Sequence, residues 1–397
     1  MNQRVGTAMS AVVLSLVLCA CGGGEGGNRQ GPAALPAPVA PAAGVVGDGR
    51  LSELAEWARA SQDAPGIAVV IIRHGQVAER AAIGLRSAAS AVRVGIDDQW
   101  LIGSLTKSMT ATLAGVLVED GLISWDTRPV EVWPELAGKV HPSFRDVTLR
   151  QLLSHTSGMK RDDDFSGASD RASGTVTEKR RSWAEHLLSQ APEISAGTFS
   201  YSNVGYVVAA AMLETRGQSS WEDQLVARVF VPLGMTHSGF GAPGTPGQID
   251  EPLGHWSRSS GFEPVPLGAD SELPATLGPA GRVHVSLADF ARYLQAHLSG
   301  EQGVSGLLTT QTFRTLHAQV ASGYALGWGV SPALPDLGAG GFAHSGSDGR
   351  WYAVTWFSPD ADAGLLVTVN GGGDRGEAAT ASLDRLLRQR IAASPGQ

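Results

Sequence analysis

The chain has 397 residues, of which 43% are hydrophobic and 17% carry a charged side chain, and its formal net charge is -8. This length suits one large domain or two closely packed ones, and the composition is typical of globular proteins. The negative net charge, with no arginine-rich tract, argues against nucleic acid as a partner. No His-Glu-x-x-His sequence or comparable His/Cys cluster occurs, so we expect no metal and no other cofactor.

The first residues have the pattern of an export signal. Arg4 is followed by an apolar run at 8–20, which is too short to span a bilayer and has the length of a signal-peptide core. The run ends in Leu18-Cys19-Ala20-Cys21, which resembles a bacterial lipobox with Cys21 as the lipidated residue. We therefore expect residues 1–21 to be a lipoprotein signal peptide. A cleaved signal with an unlipidated cysteine is the alternative.

Lipidation at Cys21 would place the protein in the bacterial cell envelope. Gly22 rather than an aspartate follows the cysteine, and the resemblance to bacterial lipoproteins then implies the outer membrane, facing the periplasm. Residues 22–49 are rich in Gly, Pro and Ala and are predicted to be a flexible tether with an r.m.s. span of about 30 Å. The folded domain is predicted at 50–392.

The domain begins with a predicted helix at about Leu51–Ser61 and a hairpin of strands at Gly66–Arg73 and Val77–Ile83. A serine and a lysine then stand three residues apart in Ser104-Leu105-Thr106-Lys107, at the start of a predicted helix over 104–119. Residues i and i+3 of a helix lie on one face, and a neutral lysine there can take the proton of the serine. Ser104 is thus the candidate nucleophile and Lys107 its candidate base.

A second Ser-x-x-Lys occurs at Ser157-Gly158-Met159-Lys160, but it lies in a turn-like Ser/His/Thr/Gly cluster, which favours the first. The middle of the chain, about 125–300, is predicted to be rich in helices. Within it, Tyr201-Ser202-Asn203 stands in a loop before a predicted helix at Tyr206–Glu214. Tyr201 is the candidate second proton carrier and Asn203 the candidate residue that orients the substrate. The alternative is a Ser/Asn helix cap beside a half-buried tyrosine.

The C-terminal part is predicted to hold strands at about 323–330, 339–345, 351–357 and 364–369, and a closing helix at Ala378–Ile391. His344-Ser345-Gly346 stands before one of these strands, where polar side chains and backbone N–H groups can meet a substrate. His237-Ser238-Gly239 is a second match, without a strand pattern behind it, and a plain strand-end histidine at His344 stays the alternative. Strands at both ends with helices between them predict an α/β (α+β) fold. Its antiparallel sheet is flanked by helices and built from both termini, with an inserted helical lobe and the active site in the crevice between them.

Over roughly residues 50–392 the chain resembles the serine β-lactamase-related family, which includes class C β-lactamases, D-alanyl-D-alanine carboxypeptidases and esterases. The segments that carry the resemblance are Ile102–Lys107, Glu119–Leu122, Leu152–Gly158, Tyr201–Asn203, Pro232–Met235, Gly327–Gly329 and His344–Gly346. The segment Leu152–Gly158 matches a signature that is structural rather than catalytic in the family.

The resemblance implies a β-lactamase/transpeptidase-like fold and an acyl-enzyme on Ser104, with Lys107 and Tyr201 handling the proton. It implies an oxyanion hole from the backbone N–H groups of Ser104 and Ser347. The remaining substrate-binding candidates are Asn203, Gly346 and His344, the last expected to face a substrate carboxylate.

His344 stands where class C enzymes carry a lysine, and no Lys-x-Gly occurs in the chain. This favours the ester and peptidase branches, acting on small-molecule or peptidoglycan-derived substrates, over a true β-lactamase. The alternative function is a penicillin-binding lipoprotein that acylates without turnover and serves as a cell-wall sensor or scaffold.

Overall fold

The computed structural model describes residues 39–162, 173–268, 272–304 and 306–394. The predicted signal peptide, Cys21 and the first part of the predicted tether lie outside these ranges. No helix within them is both long enough and apolar enough to cross a bilayer.

The described residues form strands in three antiparallel sheets. The strands are β1 (Gly66–Arg73), β2 (Gln76–Gly84), β3 (Gln99–Leu101), β4 (Ser238–Phe240), β5 (His255–Arg258), β6 (Gly261–Pro264), β7 (Val283–Ser286), β8 (Gly329–Ser331), β9 (Gly341–Ser347), β10 (Tyr352–Ser358) and β11 (Ala363–Val369). The main sheet has six strands in the order β2-β1-β11-β10-β9-β8, a smaller one has the order β3-β7-β4, and β5 pairs with β6. The N-terminal hairpin therefore joins the C-terminal strands directly.

Seven helices of eight residues or more occur in the described ranges. They are α1 (Leu51–Ser61), α2 (Thr106–Glu119), α3 (Val176–Ser189), α4 (Asn203–Gly217), α5 (Leu287–Gly300), α6 (Thr310–His317) and α7 (Gly373–Ala393). Shorter helical segments are Gly103–Leu105, Pro129–Val132, Pro134–Leu136, Pro142–Phe144, Leu149–Leu153, Trp221–Leu225, Val226–Phe230, Val231–Leu233, Ala275–Leu277 and Gly278–Gly281.

The main sheet is covered by helices on both faces. On one face, Val69 and Val367 pack with Leu54 of α1 and Leu387 of α7 in a first hydrophobic core. The alternate residues of β1, such as Val70, face a second core that includes α2, α4 and α5. Because successive side chains of a strand point to opposite faces, a strand covered on both sides is apolar along its length, as β1 is up to its last residue, Arg73.

The expected architecture is confirmed: an antiparallel sheet built from both ends of the domain, flanked by helices, with a helical lobe inserted between. The hairpin and α1 lie where the sequence predicts them. The strand predicted at 323–330 is shorter, since β8 covers only Gly329–Ser331 and residue 324 forms an isolated bridge with Gly329.

The segment before α1 is attached to the domain. The guanidinium of Arg390, on α7, donates to the carbonyl of Ala43 at 2.8 Å and to the carboxylate of Asp48. The bond from Arg390 holds the pKa of Asp48 well below its usual range. Part of the segment predicted as tether, 22–49, is therefore held against the folded domain.

A buried ion cluster joins α3 to α4 inside the helical lobe. Arg180 is fully buried, and its guanidinium donates to the carboxylates of Glu214 and Glu222, the latter at 2.8 Å. The same group donates to the carbonyls of Ala275 and Thr276 at 3.0 and 3.2 Å. Ionised groups removed from water need such partners, since each unpaired charge costs several kcal/mol.

We expect Arg180→Ala to lower the free energy of unfolding by about 3–5 kcal/mol, because it leaves the carboxylate of Glu214 buried without its counter-charge. Urea denaturation followed by circular dichroism measures this. The control is Lys139→Ala, which removes an exposed ion pair to Glu185 and should cost less than about 1 kcal/mol. Equal effects of the two substitutions would contradict this interpretation of the cluster.

Candidate active site

Ser104 lies in a short 3₁₀ turn, Gly103–Leu105, that leads into α2. Gly103 has a φ of +52°, a conformation that favours glycine, and this lets the chain turn sharply before the helix. The three-residue spacing brings Lys107 back over Ser104, and Lys107 Nζ lies 3.0 Å from Ser104 Oγ as a hydrogen-bond donor. The predicted pair is therefore in direct contact, and both side chains are buried.

Lys107 is held by acceptors from two further elements. Its Nζ donates to Asn203 Oδ1 at 2.7 Å, at the start of α4, and to the carbonyl of Ala280 at 2.7 Å. The same nitrogen lies 4.8 Å from the ring centroid of Tyr201. The structure thus brings together four residues predicted from sequence: Ser104, Lys107, Tyr201 and Asn203.

The loop that carries Tyr201 is fixed by the capping residue that follows it. Ser202 is the N-cap of α4: its hydroxyl accepts from the N–H of Gly205 at 3.0 Å and donates to the carbonyl of Lys160 at 2.5 Å. The N–H of Ser202 donates to His155 Nδ1 at 3.0 Å. The predicted helix cap is therefore present, and it positions Tyr201 and Asn203 on either side of itself.

The ring of His155 packs against the ring of Tyr201. Its ring is fully buried and its centroid lies 4.2 Å from that of Tyr201. Burial, with the charge of Lys107 nearby, holds the pKa of His155 well below its usual value, so the imidazole is neutral and Nδ1 accepts. The segment Leu152–Gly158, interpreted as structural, contacts the candidate proton carrier directly.

Asp162 was not recognised as a site residue. Asp162 Oδ1 accepts a hydrogen bond from Asn203 Nδ2 at 2.6 Å. The sequence offers no signal for Asp162 beyond a run of three aspartates, of which Asp163 and Asp164 lie outside the described residues. The carbonyl of Ala280 was also missed, and no side-chain pattern marks a backbone acceptor.

The backbone of β9 lies directly against the turn that carries Ser104. A Cβ on Gly346 would lie 2.1 Å from the carbonyl oxygen of Ile102 and 2.6 Å from the nitrogen of Ser104, and a Cβ on Gly103 would lie 2.4 Å from the nitrogen of Ser347. At these distances a Cβ at either glycine fits only if the two backbone segments move apart. The contact places the N–H groups of Ser104 and Ser347 on neighbouring backbone segments.

His344 lies on β9, and both nitrogens of its ring are hydrogen-bonded to other groups of the protein. Nδ1 bonds to the carbonyl of Ser345 at 2.6 Å, and Nε2 bonds to the hydroxyl of Tyr324 at 3.0 Å. A carbonyl only accepts, so Nδ1 carries the proton and Nε2 accepts from Tyr324. Burial, followed by the charge of Lys107, lowers the pKa of His344 to about 3. We expected His344 to face a substrate carboxylate. In the structure its ring is neutral, and both ring nitrogens are bonded within the protein.

The two competing motifs lie elsewhere. Ser157 is buried while Lys160 is exposed, and neither is on a helix. His237 precedes β4, which belongs to the three-stranded sheet rather than the main one. The absence of a strand behind His237 was therefore a wrong expectation, because Ser238–Phe240 pairs with β7. Among the residues that the structure describes, no group of three His, Cys, Asp or Glu side chains is arranged to hold a metal ion.

Several known proteins are similar to this chain. The protein-family model described as Beta-lactamase matches residues 51–389. The chain is 30% identical over 323 residues to penicillin-binding protein 4 of Amycolatopsis lactamdurans, which covers 79% of this chain and 83% of that protein. It is 28% identical over 250 residues to the Unguisins hydrolase ungD of Aspergillus violaceofuscus, covering 60% of this chain and 42% of that protein.

Two solved structures share the fold. One is the octameric penicillin-binding protein homologue from Pyrococcus abyssi, with a TM-score of 0.69 and 24% identity over 87% of this chain and 78% of that one. The other is the D-alanine carboxypeptidase AmpC from Burkholderia cenocepacia, with a TM-score of 0.64 and 22% identity over 84% of this chain and 97% of that one.

We expect Gly346→Ala to lower kcat/KM by about 100-fold, since a Cβ there must push β9 away from Ser104 and misplace the reacting groups by close to 1 Å. Hydrolytic activity of the purified variant measures the loss, with circular dichroism to confirm folding. Gly138→Ala is the matched control, because a Cβ at Gly138 meets nothing within 4 Å. Full activity of the folded Gly346→Ala variant would contradict the close contact.

Proposed function

Because this chain belongs to the beta-lactamase family, we propose that it is a serine hydrolase that forms an acyl-enzyme on Ser104 and cleaves an ester, amide or β-lactam carbonyl. The observation that carries the proposal is the buried contact of 3.0 Å between Lys107 Nζ and Ser104 Oγ. A serine hydroxyl is a weak nucleophile until an adjacent base takes its proton, and a lysine in this position is suited to that task.

In the proposed reaction Ser104 Oγ attacks the carbonyl carbon while its proton passes to a neighbouring base. Lys107 and Tyr201 share the proton handling: one takes the proton from Ser104 and the other delivers a proton to the leaving group. The negative charge on the carbonyl oxygen would be held by the N–H groups of Ser104 and Ser347, and one such donor is worth about 10²–10³ in rate. Water then attacks the acyl-enzyme and releases the acid.

Within the family we favour the ester and peptidase branch over a true β-lactamase. His344 is neutral and both its nitrogens are bonded within the protein, so it offers no positive charge to a substrate carboxylate. The similarity to a protein named as an unguisins hydrolase is in keeping with a substrate other than a β-lactam. The proposed substrate is accordingly a neutral small-molecule or peptidoglycan-derived carbonyl compound.

A second candidate function is supported by the similarity to penicillin-binding protein 4. In that case Ser104 would be acylated without turnover, and the protein would serve as a cell-wall sensor or scaffold. A burst of product with no steady state, on both p-nitrophenyl butyrate and nitrocefin, would favour this function over hydrolysis.

Attachment to the membrane is also a proposal. If Cys21 carries a lipid, the mature chain is anchored in the cell envelope, on the periplasmic side of the outer membrane, and the diacylglyceryl group with its N-acyl chain supplies more than one anchor. The contacts of Arg390 with Ala43 and Asp48 would then fix the point at which the tether joins the domain.

We expect Ser104→Ala to lose all covalent labelling by a fluorophosphonate probe and to stay folded, because Lys107 keeps its acceptors at Asn203 and Ala280. Gel detection of the labelled protein measures this. Ser157→Ala, in the other Ser-x-x-Lys, is the matched control and should label as the unmodified protein does. Undiminished labelling of Ser104→Ala would overturn the assignment of the nucleophile.

We expect kcat/KM for p-nitrophenyl butyrate to exceed that for nitrocefin at pH 7.5, because the neutral His344 supplies no charge-assisted contact to the carboxylate of the cephalosporin. A lysine in its place could add such a contact, so His344→Lys should shift the ratio toward nitrocefin by about 10- to 100-fold, which corresponds to about 1.5–3 kcal/mol. His237→Lys, in the other His-Ser-Gly, should leave the ratio unchanged. Nitrocefin turnover far above ester turnover in the unmodified protein would contradict this expectation and indicate a true β-lactamase.

A further inference from the structure

The turn between β9 and β10 begins at Ser347, directly against the segment that carries Ser104. A Cβ on Gly103 would lie 2.4 Å from the nitrogen of Ser347, so the two backbone segments are in close contact. The hydroxyl of Ser347 donates to the carbonyl of Trp351 at 2.6 Å and accepts from the N–H of Gly349 at 2.9 Å. Its single proton is used inside the turn, so the donor that Ser347 would supply to a substrate is its backbone N–H.

The carboxylate of Asp348 closes this turn. Its Oδ1 accepts from the backbone N–H groups of Arg350 and Trp351 at 2.9 and 3.1 Å, and its Oδ2 accepts from Nε and Nη2 of the Arg350 guanidinium at 3.0 and 2.5 Å. The Asp348 side chain has no exposed surface, and that of Arg350 is 8% exposed. A carboxylate removed from water needs such donors, and the backbone bonds fix the path of the chain directly after Ser347.

The turn is also fastened to the segments around it. The N–H of His255, on β5, donates to the carbonyl of Arg350 at 3.0 Å. The buried ring of Trp351 packs edge-on against the buried ring of Trp100, with the centroids 6.2 Å apart. Trp100 lies on β3, which leads into the turn that carries Ser104. A change in the turn after β9 therefore changes how that turn lies against the nucleophile.

We propose that Asp348 is a positioning residue for the oxyanion hole: through its two bonds to backbone N–H groups it holds the N–H of Ser347 where the substrate carbonyl oxygen gains negative charge. The proposal rests on the proposed function and deepens it by naming the side chain that keeps one donor of the oxyanion hole in place. Such a donor is effective because it is aimed, before the reaction, at the place where charge develops. Without the carboxylate the turn relaxes, and the donor loses its aim at the transition state.

The test compares Asp348→Ala with Asp348→Asn in steady-state hydrolysis of p-nitrophenyl butyrate. Alanine removes the acceptor, and we expect kcat to fall about 10- to 100-fold with little change in KM, because the interaction that is lost is made in the transition state. Asparagine keeps an oxygen that accepts from the N–H groups of Arg350 and Trp351, so kcat should return to within about fivefold of the unmodified protein.

Asp348→Glu covers the case in which the alanine variant does not fold. It keeps a negative charge beside Arg350 but carries its oxygens a methylene group further from the main chain. The bonds to the backbone N–H groups are then displaced, and kcat should again fall about tenfold or more.

Inhibition by phenylboronic acid separates positioning from stability. Its boron accepts the Oγ of Ser104 and becomes tetrahedral, so that one of its oxygens takes the place of the charged carbonyl oxygen. We expect its inhibition constant in Asp348→Ala to rise by about the same factor as kcat falls, about 10- to 100-fold. Thermal unfolding of each variant shows whether it is folded at the temperature of the assay.

Asp360→Ala is the control, because Asp360 is exposed in the loop at the other end of β10 and should change neither quantity. An unchanged kcat in a folded Asp348→Ala or Asp348→Glu variant overturns the positioning role, and so does an Asp348→Asn variant as slow as alanine. A fall in kcat without a rise in the inhibition constant also overturns it, since the loss would then lie away from the oxyanion. Ester hydrolysis that persists in Ser104→Ala contradicts the proposed function instead.

Discussion

The amine of Lys107 is removed from water, and this constraint organises the centre of the molecule. A buried ammonium or amine costs several kcal/mol unless protein acceptors replace its hydration. The acceptors come from three places: the hydroxyl of Ser104, the amide of Asn203 and the carbonyl of Ala280. The amine of Lys107 therefore gains these acceptors only when the start of α2, the start of α4 and the segment 278–281 have docked together. The contacts that would perform chemistry thus also hold the helical lobe in place.

Two neutral imidazoles complete this electrostatic arrangement. His155 and His344 both have lowered pKa values, first because they are buried and then because Lys107 lies nearby. A histidine whose pKa falls on folding contributes stability above its unfolded value near 6.5, and that stability is lost as the pH drops toward the folded value, about 3 for His344. Because both rings are neutral, Lys107 is the group among His155, His344 and Lys107 whose charge the site must stabilise with hydrogen-bond acceptors.

The sequence indicates the parts of the site that depend on local geometry. Ser104 and Lys107 follow from helical spacing, and Tyr201 with Asn203 from a loop that ends in a cap. Contacts between distant segments were missed, because the contact of Asp162 depends on where Asn203 comes to lie, and the bond from Tyr324 to His344 joins a residue outside the named strands to β9. The antiparallel sheet was predictable from apolar runs at both ends, whereas the short strand after His237 was not, since three residues give too little pattern.

The pairing of β1 with β11 has a consequence for the time course of synthesis. Arg73 lies opposite Ala363, so roughly 290 residues must be added before the neighbour of β1 exists, which takes on the order of 15–60 s at elongation rates of about 5–20 residues per second. During that interval β1, which is apolar on both faces, has only β2 beside it and an unpaired edge that can attract another chain. Productive biosynthesis of this protein therefore depends on keeping its first hairpin shielded until its last strand has been made.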